Sequence, residues 1–324
     1  MKTFFQKIFL LGVMTLLTLG ASATPDRNYL CFTANTDESS VQLNYPKDPI
    51  ALEYSRDGDD WREYTLETII TLDSAGDKVY FRNANEDGVT EFSQNPTMYY
   101  NFSMTGSIAA SGNIMSLVDR ECASTTIPNA DCFYRLFRNC TSLTSAPELP
   151  ATTLAEYCYT EMFNGCTSLT SAPGLPATTL AEHCYRGMFN GCTSLTSAPG
   201  LPATTLAPNC YSGMFSGCTS LTSAPALPAM TLVDFCYFDM FSGCTSLASA
   251  PGLPAITLAG NCYYGMFEGC TSLASAPALP VTTLAGGCYT DMFRDCTSLT
   301  SAPALPATTL VDFVILVCSE AAQI

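Results

Sequence analysis

Hydrophobic and polar residues recur through most of the chain with a period of 26 residues. Cysteines mark the period: one column runs from Cys132 through Cys158 to Cys288, and a second, Cys140 to Cys296, follows it by eight residues. Residues 132–313 hold seven such units without insertion or deletion. A constant period of this size predicts a stack of units, because one unit alone cannot bury its apolar face.

Each unit contains an apolar stripe. Leu154, Cys158, Met162 and Cys166 follow one another at intervals of four residues, which favours one apolar face of a short helix. Gly165 stands where such a helix would end, as glycine commonly does.

A short extended piece and a turn complete the unit. Ser168–Ala172 is typical of a strand, and Pro173 and Pro176 in the following Pro-x-Leu-Pro segment cannot continue a ladder of backbone hydrogen bonds. We therefore predict an α/β solenoid, an array of 26-residue units that each contain one short strand and one short helix, preceded by a small all-β domain.

The residues before the units, 24–106, have the alternation of strands. Asp57-Gly58 lies between two strand-like runs, which is a hairpin signal. Further runs begin at Thr68, Lys78 and Met98. Short strands at this spacing predict a small β-sandwich-like domain.

The stretches that flank the units depart from the pattern. Residues 107–131 keep it in weakened form, with Ile114 in the column of Cys140, and are predicted to be a degenerate capping repeat. Residues 314–324 no longer follow it. One possible coding of this tail, read with one T restored before it, gives the repeat pattern, so we interpret the tail as a frameshifted eighth repeat.

The first residues have the features of a secretory signal. Lys2 and Lys7 precede an apolar run, Ile8–Leu19, that is too short to span a bilayer. Ala21-Ser22-Ala23 fits a cleavage site. We predict a signal peptide, residues 1–23, and a mature protein that is secreted or at the bacterial cell surface.

The repeated stretch Met162–Leu169, with its Cys-x-x-Leu ending, resembles the core of the BspA-like leucine-rich repeat of Bacteroidetes surface proteins. The resemblance covers about residues 107–313. It implies a leucine-rich-repeat array and a role in extracellular binding or adhesion rather than catalysis. The additional cysteine column at Cys158 departs from that family's pattern.

The net charge of the chain limits the kinds of molecule that it can bind. The formal net charge is -16, and residues 24–130 hold 17 acidic and 7 basic side chains against 10 and 4 in residues 131–310. An acidic chain without a cluster of Lys and Arg argues against nucleic acid and anionic membranes as partners. We expect a monomer, without membrane insertion after signal cleavage, whose partner is an extracellular protein or a cell-surface component.

The chain has 17 cysteines, which in a secreted protein suggests disulfides. On a helix, Cys158 and Cys166 would lie about 12 Å apart, beyond the ~7 Å limit between the Cα atoms of a disulfide. Buried free thiols are therefore favoured, with inter-repeat disulfides as the alternative. A spacing of eight residues without a histidine partner does not favour zinc.

Candidate catalytic and metal-binding residues are few. His183 is the only histidine; it adjoins Cys184, but its column varies freely between units, as an exposed position does. Residues 83–88 resemble half of a calcium loop with two charges missing, so a plain turn is favoured. We predict no catalytic residue, no cofactor and no enzymatic activity.

Binding residues are predicted where the units vary. The function predicted is protein–protein interaction, with adhesion as its context. One alternative is carbohydrate binding by sugar stacking on Trp61 and Tyr54 of the β domain, and another is a passive structural spacer. The predicted partner-contact residues are Glu156, Tyr157, Glu161, Arg186, Phe238, Asp239, Tyr264, Glu268 and Arg294.

Overall fold

The computed structural model describes residues 28–44, 50–86, 88–92 and 97–307. The predicted signal peptide, residues 1–23, and the predicted frameshifted tail, residues 314–324, lie outside the described residues. No helix within the described ranges is long and apolar enough to cross a membrane.

Nine β-strands and one short 3-10 helix make up the regular structure of the described residues. The helix, Ile114–Leu117, is capped by Asn113, whose side chain accepts a hydrogen bond from the Met115 N–H. The strands are β1 (Leu30–Ala34), β2 (Ser39–Asn44), β3 (Leu52–Ser55), β4 (Arg62–Glu63), β5 (Ile70–Leu72), β6 (Lys78–Asn83), β7 (Asn101–Thr105), β8 (Ile108–Ser111) and β9 (Leu143–Ser145).

These strands form two sheets. The larger has the order β4-β3-β6-β1-β8-β9, and the smaller has the order β5-β2-β7. All neighbours are antiparallel except β8 and β9. The predicted hairpin at Asp57-Gly58 is present as β3 and β4, with Tyr54 opposite Arg62. The runs predicted at Thr68, Lys78 and Met98 correspond to β5, β6 and β7.

Aromatic side chains fill the space between the two sheets. Phe32 of β1 and Phe81 of β6 both pack edge-on against Phe102 of β7, with ring centroids 4.9 and 5.5 Å apart. Phe102 also stacks on Phe137 of the first unit at 5.3 Å. One buried core therefore continues from the sheets into the repeats.

The predicted α/β solenoid with a helix in every unit is wrong. The only helix within the described residues is Ile114–Leu117, which precedes the first unit. The strands belong to the two sheets, and β9 is the only one that lies inside a unit. In later units the expected strand is reduced to isolated bridges such as Ser171 with Ser197.

A coil of consecutive turns replaces the helix. From residue 155 to 166, every fourth residue has a left-handed backbone: φ is 56° at Tyr157, 52° at Glu161 and 74° at Gly165. The carbonyls of Tyr157 and Glu161 each accept a hydrogen bond from the N–H three residues on, as when Thr160 N–H donates to the Tyr157 carbonyl at 3.1 Å. The Gly165 carbonyl accepts one from Thr167 N–H, two residues on. We call this segment and its equivalents in other units the turn coil.

Most of the N–H groups of the turn coil that do not make short-range bonds donate to backbone carbonyls of the next unit. Tyr159 N–H donates to the Cys184 carbonyl at 3.0 Å, and Phe163 N–H donates to the Met188 carbonyl at 2.9 Å. An α-helix would direct these groups to carbonyls four residues earlier in the same segment. In the turn coil, half of the backbone N–H groups donate to carbonyls of the neighbouring unit instead. The turn coil is therefore stable only in the stack, because one unit alone would leave these N–H groups without their partners.

Aromatic columns extend through the stack. Phe137, Phe163 and the equivalent phenylalanines up to Phe293 stack at centroid distances of 5.3–5.7 Å. A second column, Phe133 followed by Tyr159 and its equivalents up to Tyr289, stacks at 5.7–5.9 Å. Aromatic pairs contribute about 0.5–1.5 kcal/mol each beyond their burial, so these columns hold the units in register.

The predicted alignment of residues 107–131 with the first unit differs from the structural one. Leu143 pairs with Ile108, an offset of 35 residues (143 minus 108), and not with Leu117. The regular register is present at Asp131, whose N–H donates to the Glu156 carbonyl at 2.9 Å. The 3-10 helix lies in the extra length of chain between these points.

Candidate functional site

An apolar groove crosses the Pro-x-Leu-Pro segments of six successive units. In each segment the leucine is buried and the residue x is exposed. The second proline is half-buried at Pro150 and exposed from Pro176 onward. Two depressions of about 910 and 500 Å³ meet at Ala226 and Pro228 and form one surface. This surface, the Pro-Leu groove, is lined by residues 146–150, 173–176, 198–202, 225–228 and 250–254 and by Pro277, Ala278 and Pro280.

The groove is open because the units do not hydrogen-bond to each other there. Proline has no N–H, and none of the Pro-x-Leu-Pro segments from Pro173 to Pro280 is joined to its neighbour by a backbone hydrogen bond. The first segment differs, because Glu148 N–H donates to the Gly112 carbonyl at 2.7 Å. In the later segments, the backbone N–H and C=O groups of each residue x can form hydrogen bonds to a bound molecule. Such bonds are needed because a bound molecule would shield these groups from water, and buried backbone groups are normally hydrogen-bonded.

The lining of the groove is almost uncharged. Its one titratable side chain is Glu148, at the end formed by the first unit, and the carboxylate there accepts a hydrogen bond from the Asn28 Nδ2 at 2.7 Å. Proline, leucine, alanine and glycine bind apolar groups by burial. The lining contains no pair of acid and base groups for proton transfer.

The predicted partner-contact residues lie on the turn coils, and several contact each other between units. Glu161 pairs with Arg135 at 2.8 Å and with Arg138 at 3.3 Å. Tyr157 stacks on His183 with ring centroids 4.4 Å apart. Glu156 and Arg186 are exposed.

Aromatic side chains gather on the turn coils of two neighbouring units. Phe238 stacks on Tyr264 at 4.9 Å, and Phe235 packs beside Phe238 at 5.8 Å. Phe235 is 37% exposed, which is unusual for a large apolar side chain in this protein. The structure therefore brings the predicted residues Phe238 and Tyr264 together and adds Phe235.

Carboxylates surround these rings. Tyr264 donates a hydrogen bond to Asp291 Oδ2 at 3.3 Å, and Glu268 lies 3.4 Å from Arg294. Desolvation, reinforced by Glu268 and Asp291, raises the pKa of Asp239 to about 6. Asp239 Oδ1 is buried without a hydrogen-bond partner. We call Phe235, Phe238, Tyr264, Asp239, Glu268 and Asp291 the aromatic-acid patch.

The two predicted sugar-stacking residues pack against different neighbours. The Arg82 guanidinium lies 3.8 Å from the centre of the Trp61 ring, and Tyr29 packs edge-on against the same ring at 4.9 Å. Tyr54 instead packs against Tyr64, with centroids 6.1 Å apart. Each ring thus has protein partners of its own.

The sixteen described cysteines are thiols and not disulfides, and all but Cys122 are buried. The thiol of Cys166 donates to the Phe137 carbonyl at 3.0 Å, and the same bond recurs along its column. Burial raises the pKa of the Cys158 thiol to about 12. The preference for buried thiols over inter-repeat disulfides agrees with the structure, and these thiols are uncharged core groups at neutral pH.

His183 and Asn83 have structural partners. Burial lowers the pKa of His183, whose Nε2 lies 3.4 Å from the Glu182 carboxylate, and the adjacent Cys184 is fully buried. Asn83 is also buried, and its Oδ1 accepts hydrogen bonds from Asn85 N–H and the Thr90 hydroxyl. No group of three His, Cys, Asp or Glu in the described part of the chain is placed to hold a metal ion.

Comparisons with protein-family models, curated proteins and solved structures found no match to this chain.

The Pro-Leu groove and Phe235 are the features that sequence reasoning missed. The Pro-x-Leu-Pro segment was interpreted only as a turn, although its residue x is Gly or Ala in every unit after Glu148. A column of small residues between two prolines was the signal for an open apolar surface. The other residues of the Phe235 column are Asp131, Tyr157, His183, Asn209, Asn261 and Gly287, so a wholly apolar phenylalanine there was the signal for an exposed patch.

Proposed function

We propose that this chain is a secreted or cell-surface binding protein that holds an extended segment of a partner protein in the Pro-Leu groove. The observation that carries the proposal is the continuity of the groove across six units. Adhesion as its biological context comes from the resemblance of the repeat to BspA-like surface proteins.

The dimensions of the groove suit a peptide. The aromatic columns repeat every 5.3–5.9 Å from unit to unit, so six segments, which make five steps, span roughly 26–30 Å. An extended peptide advances about 3.3 Å per residue, and about eight or nine residues fill that length. A site of this kind takes apolar side chains on its floor and main-chain hydrogen bonds from the exposed backbone.

The chemistry of the lining favours a protein segment over a glycan or a charged ligand. Glu148 is the only charged side chain in the groove. Aromatic side chains, on which sugar rings stack, are absent from the lining residues. The proline rings are rigid, so ordering them on binding costs little conformational entropy.

Glycines in the groove offer a direct test. A Cβ added at Gly174 or Gly200 would have no atom within 4 Å, and Glu148 shows that the column accommodates glutamate. Gly174→Glu with Gly200→Glu should therefore place two charges in the groove without disturbing the fold. Peptides selected from a phage-displayed random library on the wild-type chain should bind this double variant at least about tenfold more weakly, because an apolar side chain would be buried against a charge.

The matched control is Thr193→Glu with Thr219→Glu, at two exposed positions outside the groove. It adds the same charge and should leave peptide affinity unchanged. Selected peptides that bind both double variants as well as wild type would disprove the groove as the site. A library that yields no binder would favour the passive spacer.

A further inference from the structure

The aromatic-acid patch is independent of the Pro-Leu groove, because none of its residues lines the groove. Its aromatic side chains are not required for stacking. The columns that hold Phe235 and Phe238 hold Asn209 and Ser212 in another unit. The stack therefore forms with small polar residues at these positions, and the aromatic residues call for another explanation.

The patch lies in an acidic part of the repeats. Residues 231–300 contain one basic residue, Arg294, and five acidic ones. Arg294 is 52% exposed and lies 3.4 Å from Glu268. The acidic residues are Asp234, Asp239, Glu268, Asp291 and Asp295.

Negative charge in the patch is incompletely compensated. Asp239 Oδ1 is buried without a hydrogen-bond partner, and Asp239 experiences the charges of both Glu268 and Asp291. Asp291 receives only the neutral Tyr264 hydroxyl among the contacts described for its side chain. A cation placed among these groups would be attracted by three carboxylates, of which one already has Arg294 as a partner.

The aromatic rings of the patch would also attract a cation. The face of an aromatic ring is negative, and a Lys or Arg side chain within about 6 Å of the ring centre is attracted to it. Phe235 and Tyr264 flank Phe238, so one cationic side chain can reach both a ring and a carboxylate. An apolar ligand would gain from the rings alone, and a metal ion would gain from the carboxylates alone.

We propose that the aromatic-acid patch binds lysine or arginine side chains of a basic protein segment, which contact the exposed Phe235 ring, the half-buried Phe238 and Tyr264 rings and the neighbouring carboxylates. The charge and the aromatic character of the patch both favour this partner. The described residues contain no group of three side chains placed to hold a metal ion, so the patch does not favour a divalent cation as its ligand.

The test uses the full chain and two fluorescein-labelled peptides, tetra-arginine and tetra-citrulline, which differ in charge but hardly in shape. Affinity is measured by fluorescence anisotropy at about 150 mM salt, which screens long-range attraction. Wild type should bind tetra-arginine at least about tenfold more tightly than tetra-citrulline, as expected for a cation held by rings and carboxylates together.

The aromatic contribution is isolated by the triple variant Phe235→Asn, Phe238→Ser and Tyr264→Ser. It keeps every charge and uses residues that other units carry in the same columns. Its affinity for tetra-arginine should fall about tenfold, with an unchanged melting temperature. Equal affinity of wild type and this variant would show that attraction is only by net charge and would overturn the proposal.

The double variant Asp239→Gly with Glu268→Ser tests whether the carboxylates of the patch, and not the net charge of the chain, attract the peptide. Its new residues are those that the same columns hold at Gly213 and Ser242. The control, Asp59→Asn with Asp60→Asn in the turn between β3 and β4, removes the same charge elsewhere. The first pair should weaken tetra-arginine binding several-fold more than the control pair does. An equal effect of the two pairs would also overturn the proposal.

Discussion

One carboxyl group, Asp239, connects the backbone of the turn coil to the chemistry of its surface. Its φ of 51° places it at a left-handed position, and its side chain lies over Gly265 of the next unit, where an added Cβ would be only 2.1 Å from Asp239 Oδ1. This close contact removes water from the carboxyl group. The desolvation, with repulsion from Glu268 and Asp291, raises its pKa from 3.8 to about 6.

Asp239 should make the stability of the fold depend on pH. Its pKa is higher in the folded chain than in the unfolded one, so the folded state loses stability as pH rises from about 4 to about 6, and the loss is constant above that. In Asp239→Asn this loss is absent. Urea unfolding should show the variant gaining stability relative to wild type across this range, with little difference below pH 4.

Asp59→Asn, in an exposed turn, is the control for losing one negative charge. It should not reproduce the change between about pH 4 and pH 6. A stability difference between Asp239→Asn and wild type that stays the same from pH 4 to pH 7 would contradict the assigned cause.

At the same scale, the sequence predicted buried thiols for a reason that does not hold. A helix would place Cys158 and Cys166 too far apart for a disulfide, but these residues lie on a turn coil. In the structure the thiols of the second cysteine column are buried. From Cys166 onward each donates a hydrogen bond to a phenylalanine carbonyl of the preceding unit, as from Cys192 to Phe163 at 3.1 Å.

The fold depends on the turn coil, and the turn coil requires a left-handed backbone at every fourth residue. Gly191, with φ of 72°, lies against Gly165 of the preceding unit; an added Cβ would be 3.8 Å from the Gly165 Cα. In the same column the first unit has Asn139 and the last described unit has Asp295, both left-handed. Asn and Asp are the residues other than glycine that adopt this conformation most readily.

Replacing a turn-coil glycine by alanine should therefore destabilise the chain. Gly191→Ala should lower the free energy of unfolding by about 1–2 kcal/mol, the cost of a left-handed backbone with a Cβ. Gly200→Ala, in the Pro-Leu groove, has open space and no left-handed φ, so it should be neutral or stabilise by up to about 1 kcal/mol. Urea unfolding of the two variants gives the comparison; equal stabilities would contradict the turn-coil geometry.

The helix prediction failed at this scale for a physical reason. An α-helix turns once in 3.6 residues, so positions spaced by four drift around it, whereas the apolar residues from Leu154 to Cys166 keep a spacing of four throughout. A coil with one left-handed residue in four has that period. The signal was present in the columns of Tyr157, Glu161 and Gly165, where other units carry Asn209, Gly213 and Gly217.

For the whole molecule, the 26-residue period predicted that the units contact one another in register, and the aromatic columns do so. The period did not determine the conformation of a unit, because any segment that buries the same column positions satisfies it. Half of the turn coil's hydrogen bonds go to the next unit, and such long-range partners are invisible in a local pattern. The Pro-Leu groove was missed for the same reason, since it exists only between units.

Both proposed surfaces depend on a stack of units without helices, and far-UV circular dichroism of the purified chain tests that claim most directly. The structure predicts a spectrum of strands and turns without the double minimum of an α-helix, because the only helix among the described residues is the four-residue 3-10 helix Ile114–Leu117. A pronounced helical double minimum, as one helix in each of the repeat units would produce, would contradict the account.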